Sequence, residues 1–314
     1  MTTQRVARIK VPREADGQPL LDLLAGRFTY HTRAEWQARV AAGRVTVEGV
    51  TVAADTRLRG GTTLEYRVPD LPEPPVCLDC EILYSDPDLL VINKPGNLPC
   101  HPAGRFFRHT LWGVLRERFP EWRLHFVNRL DRETSGLVLL AANPEACRRC
   151  ARQFAAGTVS KRYLAVVEGA FPEAVEAAGW LSWDRASAVR KKWRFSHAAP
   201  DAPEARRAHT LFRRQSTHGP LSLVAAELKT GKAHQIRATL LALGFPIVGD
   251  KLYGVDETIF LRFIEYAMTD ADRTRLRSER QALHAAELGF RHPRSGEALR
   301  LTARLPPDMQ ALLT

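Results

Sequence analysis

The sequence predicts an α+β protein, in which a mixed, largely antiparallel β-sheet with flanking helices follows a small α/β N-terminal domain. Short strand patterns dominate and helical patterns are few, without the regular alternation that a doubly wound parallel sheet requires. The proline-rich segment 69–75 is expected to be extended and to connect the two parts. We therefore predict an N-terminal domain over 1–68, a linker over 69–75 and a larger domain over 76–314.

Two helices and several short strands are predicted in the N-terminal domain. Leucines within 20–24 mark the first helix, and Thr32 with Glu35 forms the capping-box pattern that begins the second. Residues 44–52 and 60–68 then contain short alternating segments that are typical of strands.

The larger domain combines many strand patterns with a few helical ones. Apolar periodicity predicts helices over 110–119, 144–155, 233–243 and 256–268. There is no internal repeat, and no apolar run reaches the roughly 18 residues of a membrane-spanning helix. Residues 1–10 lack the apolar core of a signal peptide. We therefore expect a cytoplasmic monomer that does not contact a membrane.

The chain is basic, which favours a polyanionic partner. Lysine and arginine number 46 against 35 aspartate and glutamate, giving a formal net charge of +11 and a pI near 9.8. Part of this charge is concentrated within 185–214, close to several tryptophans. The candidates for polyanion contact there are Arg190, Lys191 and Lys192. A disordered, solvated loop is the alternative, because 199–203 is rich in alanine and proline.

A single carboxylate lies at the junction of two predicted strands. The apolar segments 125–127 and 137–141 are typical of strands, and the polar segment between them places Asp131 near Arg129 and Arg132. Loops at the end of a sheet often carry functional side chains. An exposed ion pair, worth about 0 to 1 kcal/mol, explains the same residues, so this loop alone leaves both interpretations open.

Three other segments carry polar residues beside predicted strands or helices. Segment 93–102 follows an apolar strand and contains a Pro-Gly turn signal. Segment 161–169 begins a strand with a basic pair and Tyr163. Segment 228–237 contains Thr-Gly-Lys and leads into a helical pattern. Singly, each has an ordinary explanation: a hinge turn, a core tyrosine or a solvated basic loop.

In this order and spacing, the segments resemble the RluA-type pseudouridine synthases, which convert uridine to pseudouridine in RNA. The resemblance covers about residues 80–305. The motifs are Lys-Pro-Gly with a later His-Pro, Arg-Leu-Asp-x-x-Thr-Ser-Gly, Lys-x-Tyr-x-Ala, Thr-Gly-Lys-x-His-Gln-Ile-Arg, Gly-x-Pro-Ile-x-Gly-Asp, and Leu-His-Ala with Phe-x-His-Pro. Residues 1–68 resemble the S-four-like RNA-binding fold that often precedes such catalytic domains.

The resemblance implies roles for individual residues. Asp131 matches the nucleophilic aspartate, Tyr163 the tyrosine that packs on the extruded base, and Arg237 the basic residue that pairs with the aspartate. Arg129 matches an arginine that fills the gap left by the flipped nucleotide. The remaining residues expected to bind the substrate RNA are Lys94, His101, Asn128, Thr134, Lys232, His234 and Gln235.

One position departs from the family pattern. The family usually has histidine where this chain has Asn128. Asparagine can hydrogen-bond but cannot titrate near neutral pH. A second interpretation therefore stays open, in which an RNA-binding or RNA-chaperoning protein keeps the scaffold with altered activity.

The implied chemistry suits these residue types. Moving the ribose from a ring nitrogen to a ring carbon changes no oxidation state and adds no group, so we expect no cofactor. An ionised aspartate beside a guanidinium can attack the sugar or the base, or take a proton. RNA is the expected partner, ribosomal RNA more than transfer RNA. The sequence specifies neither the modified position nor the covalent intermediate.

The five cysteines suggest a competing metal site. Cys77 with Cys80, and Cys147 with Cys150, have the paired spacing of a four-thiolate zinc site. The two pairs are far apart in the sequence, and the second falls on one side of a predicted helix. Since buried free thiols commonly act as small apolar groups, we expect no bound metal.

Overall fold

The computed structural model describes residues 6–28, 31–67, 73–189 and 192–314. The chain forms two compact units, Met1–Pro74 and Pro75–Thr314, which we call the N-terminal and C-terminal units. Residues 69–72 of the predicted linker lie outside the described residues. In the described part of the chain, no helix has the length and apolar character needed to cross a membrane.

The N-terminal unit consists of two helices and an antiparallel sheet. Its elements are β1 (Val6–Lys10), α1 (Leu20–Arg27), α2 (Arg33–Ala41), β2 (Val45–Val47), β3 (Val50–Thr51) and β4 (Thr63–Arg67). The strands pair in the order β1-β4-β2-β3. Thr32 and Glu35 form the predicted capping box at the start of α2, which confirms that prediction. Trp36 of α2 is 1% exposed and belongs to the apolar core of this unit.

The C-terminal unit is built on one large sheet. Its strands are β5 (Glu81–Ser85), β6 (Leu89–Lys94), β7 (His125–Phe126), β8 (Ser135–Ala141), β9 (Ser160–Glu168), β10 (Ala174–Trp183), β11 (Trp193–Ser196), β12 (Arg206–His218), β13 (Leu221–Leu228), β14 (Leu283–Arg291) and β15 (Ala298–Thr302). Its helices are α3 (Leu111–Arg118), α4 (Pro144–Ala155), α5 (Gln235–Ala242), α6 (Thr258–Ile264), α7 (Asp270–Leu276) and α8 (Pro307–Gln310).

The order of the strands confirms the predicted fold class. The path is β11-β10-β12-β13-β9-β14-β8-β6-β5, with β15 beside β14 and β7 beside β8. Strands β8 and β14 pair in parallel, whereas the other pairs described in this sheet are antiparallel. The protein is therefore α+β, with a mixed and largely antiparallel sheet.

Both faces of the sheet are buried around β6 and β8. Side chains alternate between the faces of a strand, so Leu89 and Val91 belong to one apolar core whereas Leu90 and Ile92 belong to another. These four side chains are fully buried, and each contributes about 1.5–3 kcal/mol relative to exposure. The position of β8, and of the loop that precedes it, is thus fixed from two sides.

Two helices differ from their predicted bounds for backbone reasons. The helix predicted over 256–268 ends earlier, as α6, and Tyr266 just beyond it adopts a positive φ of 59° that a continuing helix does not allow. Helix α7 was not predicted. It begins with a capping box between Thr269 and Asp272, in which aspartate takes the place usually held by glutamate or glutamine.

The parallel contact between β8 and β14 depends on Gly136. This glycine has a φ of 109°, and a Cβ built on it would lie 2.3 Å from the carbonyl oxygen of Ala285 and 2.6 Å from its nitrogen. Both are main-chain atoms of β14, which cannot rotate away from an added Cβ as a flexible side chain could. Only glycine therefore fits the start of β8 in this pairing.

We expect Gly136→Ala to lower the free energy of unfolding by on the order of 3 kcal/mol or more, since it combines backbone strain with a main-chain clash. Gly157→Ala is the matched control, because Gly157 also has a positive φ, 69°, but has open space around its Cβ position. This control should lose about 1–2 kcal/mol. Urea unfolding followed by circular dichroism measures both, and equal losses would contradict the proposed clash.

Candidate active site

Asp131 lies in the loop between β7 and β8, with its side chain 36% exposed. Its Oδ2 accepts a hydrogen bond of 2.7 Å from Nη1 of Arg237, and its Oδ1 is 3.8 Å from Nε2 of His234. Desolvation raises the pKa of the Asp131 carboxyl, but the charges of Arg237 and His234 and the Arg237 hydrogen bond lower it by more. Its pKa therefore lies below the ordinary value, and the group is ionised at neutral pH.

Arg237, in the first turn of α5, contacts two carboxylates at once. Its Nε and Nη2 donate to Asp250 at 2.6 and 2.9 Å, while its Nη1 reaches Asp131. The side chain is 9% exposed. Burial alone would lower the pKa of this guanidinium, but Asp250, and after it Asp131, raise it above the ordinary value. Arg237 is thus a fixed cation.

His234 approaches Asp131 because the backbone turns sharply before α5. It has a positive φ of 56°, so that α5 begins at Gln235, two residues after the start of the predicted helix at 233. Its Nδ1 is 2.9 Å from the hydroxyl of Tyr253, whose oxygen also accepts the N–H of Trp193 at 2.9 Å. Because the Tyr253 hydroxyl holds the ring, the Nε2 of His234 faces Asp131.

Tyr163, on β9, and Asp131 line the same cavity of about 690 Å³. Burial, and then the charge of Asp131, raise the pKa of Tyr163 to about 12, so its hydroxyl stays protonated at neutral pH. The other predicted site residues around this cavity are His101, Asn128, Arg129, Thr134, Lys232, His234, Gln235 and Arg237. Of these, Arg129 and Lys232 are exposed, as contact with RNA phosphates requires.

The loop that carries Asp131 is not a set of solvated ion pairs. Glu133 receives a hydrogen bond of 2.7 Å from Lys251, and these two side chains are only 12% and 4% exposed. Arg132 donates to Asn97 at 2.8 Å, and its guanidinium lies 4.5 Å from the centre of the Phe106 ring. These contacts overturn the alternative of a solvated surface loop.

Asn128 supports this loop through the main chain. Its Oδ1 accepts the N–H of Leu139 at 2.7 Å, and its Nδ2 donates to the carbonyl of Leu137 at 3.4 Å. Both partners belong to β8. The asparagine amide therefore attaches the residues before Asp131 to the sheet, a role that needs no titrating group.

Lys94 cannot contact RNA in this conformation, which corrects its predicted role. It is 0% exposed, and its Nζ donates to the carbonyls of Pro95, Leu98 and Arg132 at 2.8, 2.9 and 3.2 Å. Burial lowers its pKa to about 8. Lys94 instead joins its own turn to the loop that carries Asp131.

Thr134 and Gln235 are also too buried to bind RNA directly, at 2% exposure each. The Oε1 of Gln235 accepts from Thr230 at 2.8 Å and from the N–H of Lys232 at 3.0 Å. This amide shapes the Thr-Gly-Lys loop, so that Lys232 reaches the surface. For both residues, the predicted RNA contact is replaced by internal support.

His101 lies at the edge of the cavity, where its ring centre is 4.2 Å from that of Phe126. Burial, followed by the charge of Arg129, lowers the pKa of this imidazole, so its neutral form is favoured. Its Nδ1 is buried without a hydrogen-bond partner in the described structure. The ring therefore presents an apolar face beside Arg129.

Part of the predicted basic segment within 185–214 belongs to the sheet. Strand β11 and the first part of β12 lie in it, which overturns the alternative of a disordered loop for those residues, whereas 199–203 lies between the two strands. Lys192 is 8% exposed and donates to Glu257 at 2.6 Å, so the prediction that it contacts RNA is corrected. Arg190 and Lys191 lie outside the described residues.

The cysteine pairs lie on opposite faces of the sheet. Cys80 packs in the core that contains Leu90, whereas Cys150 packs in the core that contains Leu89. The strands between them prevent the two pairs from sharing one metal ion. All five cysteines are free thiols.

Among the described residues, one group has potential ligand atoms close enough for a metal, with Asp86, Asp88 and His292 within 4.8 Å of one another. Protein donors already occupy its carboxylates. Arg294 donates to Asp88 at 2.7 Å, and the Tyr84 hydroxyl donates to Asp86 at 2.6 Å. The group therefore acts as an ion-pair cluster.

Sequence reasoning missed Asp250 and Tyr253 as parts of this site. Asp250 ends the Gly-x-Pro-Ile-x-Gly-Asp motif, which was noted without a role, and is 0% exposed beside Arg237. Tyr253 follows three residues later and orients His234. The signal available in the sequence was a carboxylate at the end of an apolar segment, because a carboxylate that is buried there needs a partner.

We expect Lys94→Met to lower the free energy of unfolding by at least about 1–3 kcal/mol, because it leaves buried carbonyl oxygens without a donor. The salt dependence of RNA binding should not change. Lys232→Met is the comparison, because Lys232 is exposed: stability should be kept and the slope of log K against log salt should fall by about 1. Filter binding and urea unfolding measure these effects. A reduced slope with normal stability in Lys94→Met would restore its predicted RNA contact.

Comparisons with known proteins show which family the chain belongs to. Residues 88–242 match the family described as RNA pseudouridylate synthase. An uncharacterised RNA pseudouridine synthase of Synechocystis sp. is 32% identical over 92% of this chain and 95% of its own length. Ribosomal large subunit pseudouridine synthase D of Xanthomonas campestris is 34% identical over 97% of this chain and 90% of its own. The structure of human RNA pseudouridylate synthase domain containing 1 has a TM-score of 0.59 and 26% identity, covering 76% of this chain and 90% of that chain. The chain therefore belongs to the RNA pseudouridine synthase enzymes, in the RluA-type group that its motifs resemble.

Proposed function

We propose that this enzyme isomerises specific uridines in structured RNA, with Asp131 as the nucleophile, Tyr163 as the ring that packs on the base, and Arg237 as the cation that keeps Asp131 ionised. One observation carries the proposal. Asp131 and Tyr163 line the same cavity of about 690 Å³, and Arg237 donates to the carboxylate at 2.7 Å. The proposed nucleophile, an aromatic side chain and a fixed positive charge therefore lie close together.

The target base has to leave the RNA stack before it can enter this cavity. Rotating a nucleotide outward costs a few kcal/mol, which stacking in the pocket and contacts to the backbone offset. Tyr163 supplies a ring for stacking, and the exposed Arg129 is available to fill the space that the nucleotide leaves. Lys232, exposed at the same cavity, supplies a phosphate contact.

The ionised carboxylate of Asp131 starts the reaction by bonding to the sugar or the base or by taking a proton from the sugar, and it gives up this bond or proton again before the product leaves. As the glycosidic carbon–nitrogen bond breaks, its electron pair passes to the base, which stays in the cavity, turns and bonds to the sugar through a ring carbon. The proton on that carbon is then lost, and the ring nitrogen is protonated. No atom is gained or lost overall, so that the proposed reaction proceeds without a cofactor. The high pKa of Tyr163, about 12, means that this hydroxyl adds no negative charge beside Asp131 at neutral pH.

We propose ribosomal RNA as the substrate class, ahead of transfer RNA. Relatives named ribosomal large subunit pseudouridine synthase D include those of Xanthomonas campestris and Pseudomonas aeruginosa, at 34% and 31% identity over 97% and 99% of this chain. Both similarities extend over nearly the whole chain. A cytoplasmic location and a monomeric state remain predictions from the sequence.

We propose that the N-terminal unit is an S-four-like RNA-binding domain over 1–68, joined by a linker over 69–75 to a catalytic domain over 76–314. Its two helices and sheet support this assignment. Arg27 at the end of α1 is exposed and available to phosphates, whereas the exposed Arg33 at the start of α2 donates to Asp22 at 2.6 Å. Additional phosphate contacts would strengthen binding without reading the base sequence.

An RNA chaperone without catalytic activity has less support. The substitution that suggested it, Asn128, hydrogen-bonds to the backbone of β8 and leaves the Asp131–Arg237 pair intact. No contact among the described residues favours an inactive scaffold.

Asp131→Asn should reduce pseudouridine formation by more than about 10³-fold, because the amide keeps the shape but is not a nucleophile. RNA affinity should be nearly unchanged. The measurement is pseudouridine mapping of ribosomal and transfer RNA from a strain that lacks the gene, complemented with wild type or variant. Asp201→Asn, at an exposed position outside the cavity, is the control and should restore every site. If Asp131→Asn restores the same sites, Asp131 is not the nucleophile.

A further inference from the structure

Asp250 lies beside Arg237 and does not line the catalytic cavity. We propose that Asp250 is a positioning residue that remains the counter-ion of Arg237 throughout the reaction, while the charge on Asp131 changes. This inference rests on the proposed function, in which Asp131 is the nucleophile. It explains how Arg237 can stay paired with a negative charge although the Asp131 carboxylate is negative at the start of catalysis and neutral in the intermediate.

The contacts of Asp250 fix it rigidly. It is 0% exposed, and its two oxygens take the Nε and Nη2 hydrogens of Arg237 at 2.6 and 2.9 Å. Its Oδ1 also accepts the N–H groups of Leu252 and Tyr253 at 3.0 and 2.8 Å. The carboxylate is therefore held by the main chain of its own turn as well as by the arginine.

This arrangement fixes the direction of the remaining donor. A guanidinium is planar, so two donors bound to one carboxylate determine where the third points. In Arg237 the third donor, Nη1, reaches Asp131 at 2.7 Å. The ring of Tyr253 lies 4.8 Å from the central carbon of the guanidinium and packs against it. Asp250 thus positions Asp131 through Arg237.

The charges explain why a second carboxylate is needed. When Asp131 attacks carbon or takes a proton, it becomes neutral, and the negative charge passes to the RNA. Arg237 is 8% exposed, and a buried cation without a close counter-ion is strongly unfavourable. Asp250 makes no bond to the substrate in the proposed reaction, so its charge stays. Arg237 can therefore keep its place while Asp131 reacts.

Asp250 is charged at neutral pH. Burial raises the pKa of its carboxyl, but the charge of Arg237, the Arg237 hydrogen bonds and those from the backbone lower it by more. Among the described residues, the titratable groups that face this pair include the Asp131 carboxylate, the His234 imidazole and the Tyr253 hydroxyl. The pair Arg237–Asp250 is thus neutral as a unit, and Asp131 supplies the net negative charge of the site.

The chain offers a matched control in Asp272. This aspartate is 4% exposed, receives a similar arginine fork from Arg262 and also accepts a backbone N–H, but neither residue lines the catalytic cavity. A general loss of stability from an Asp→Asn change in a buried ion pair should appear in both variants. A loss of rate should appear only in Asp250→Asn.

The test is single-turnover conversion of a substrate RNA by an excess of the full-length protein, together with RNA affinity and thermal unfolding. For Asp250→Asn we expect the rate to fall by roughly 10²-fold with unchanged RNA affinity. For Asp272→Asn we expect a wild-type rate with a measurable loss of thermal stability. A wild-type rate in Asp250→Asn would overturn the proposal. Wild type and Asp131→Asn are run alongside, because an inactive wild type or an active Asp131→Asn would refute the proposed function instead.

A second comparison applies even if Asp250→Asn does not fold. Arg237→Met removes the buried cation, and Arg237→Met with Asp250→Asn removes both charges together. Because Asp250 acts through Arg237, these two proteins should react equally slowly. A double variant that is clearly slower than Arg237→Met would assign Asp250 a role independent of the arginine and would overturn the proposal.

Discussion

The ion pair between Asp131 and Arg237 is the contact on which the site depends. It joins residues that are 106 positions apart, one in the loop before β8 and the other in α5. The loop can approach the helix because β8 is buried on both faces and pairs in parallel with β14 at a glycine. The sheet therefore sets the position of the carboxylate, and the helix supplies its charge partner.

Burial decides the roles of the polar residues around this pair. Lys94, Gln235 and Lys251 are nearly or wholly buried, and each binds another part of the protein. Arg129 and Lys232 are exposed at the cavity and are free to meet phosphates. The polar residues thus form an inner set that shapes the site and an outer set that is exposed at the cavity. An unpaired polar group in the inner set would be costly, which is why each of these side chains has several partners.

The sequence predicted the fold class, several of the strands, and the residues that meet at the cavity, since these follow from periodicity and from motif resemblance. It failed where burial decides the outcome. Lys94 was expected to bind RNA from the Lys-Pro-Gly motif and Lys192 from a cluster of basic residues, and both are buried although lysine is usually exposed. Helix α7 was missed because its capping box uses Asp272. Asp250 was missed because a motif records which residue is present but not which side chain it meets.

Lys94 and Arg280 bind main-chain oxygens of the loop that carries Asp131, at Arg132 and Glu133 respectively. These hydrogen bonds to the main chain do not depend on which side chains the loop carries. Exposed side chains beside Asp131, such as Arg129, can therefore change during evolution while the carboxylate stays in place. An enzyme built in this way can acquire a different preference for the RNA that surrounds its target uridine without having to rebuild its chemistry.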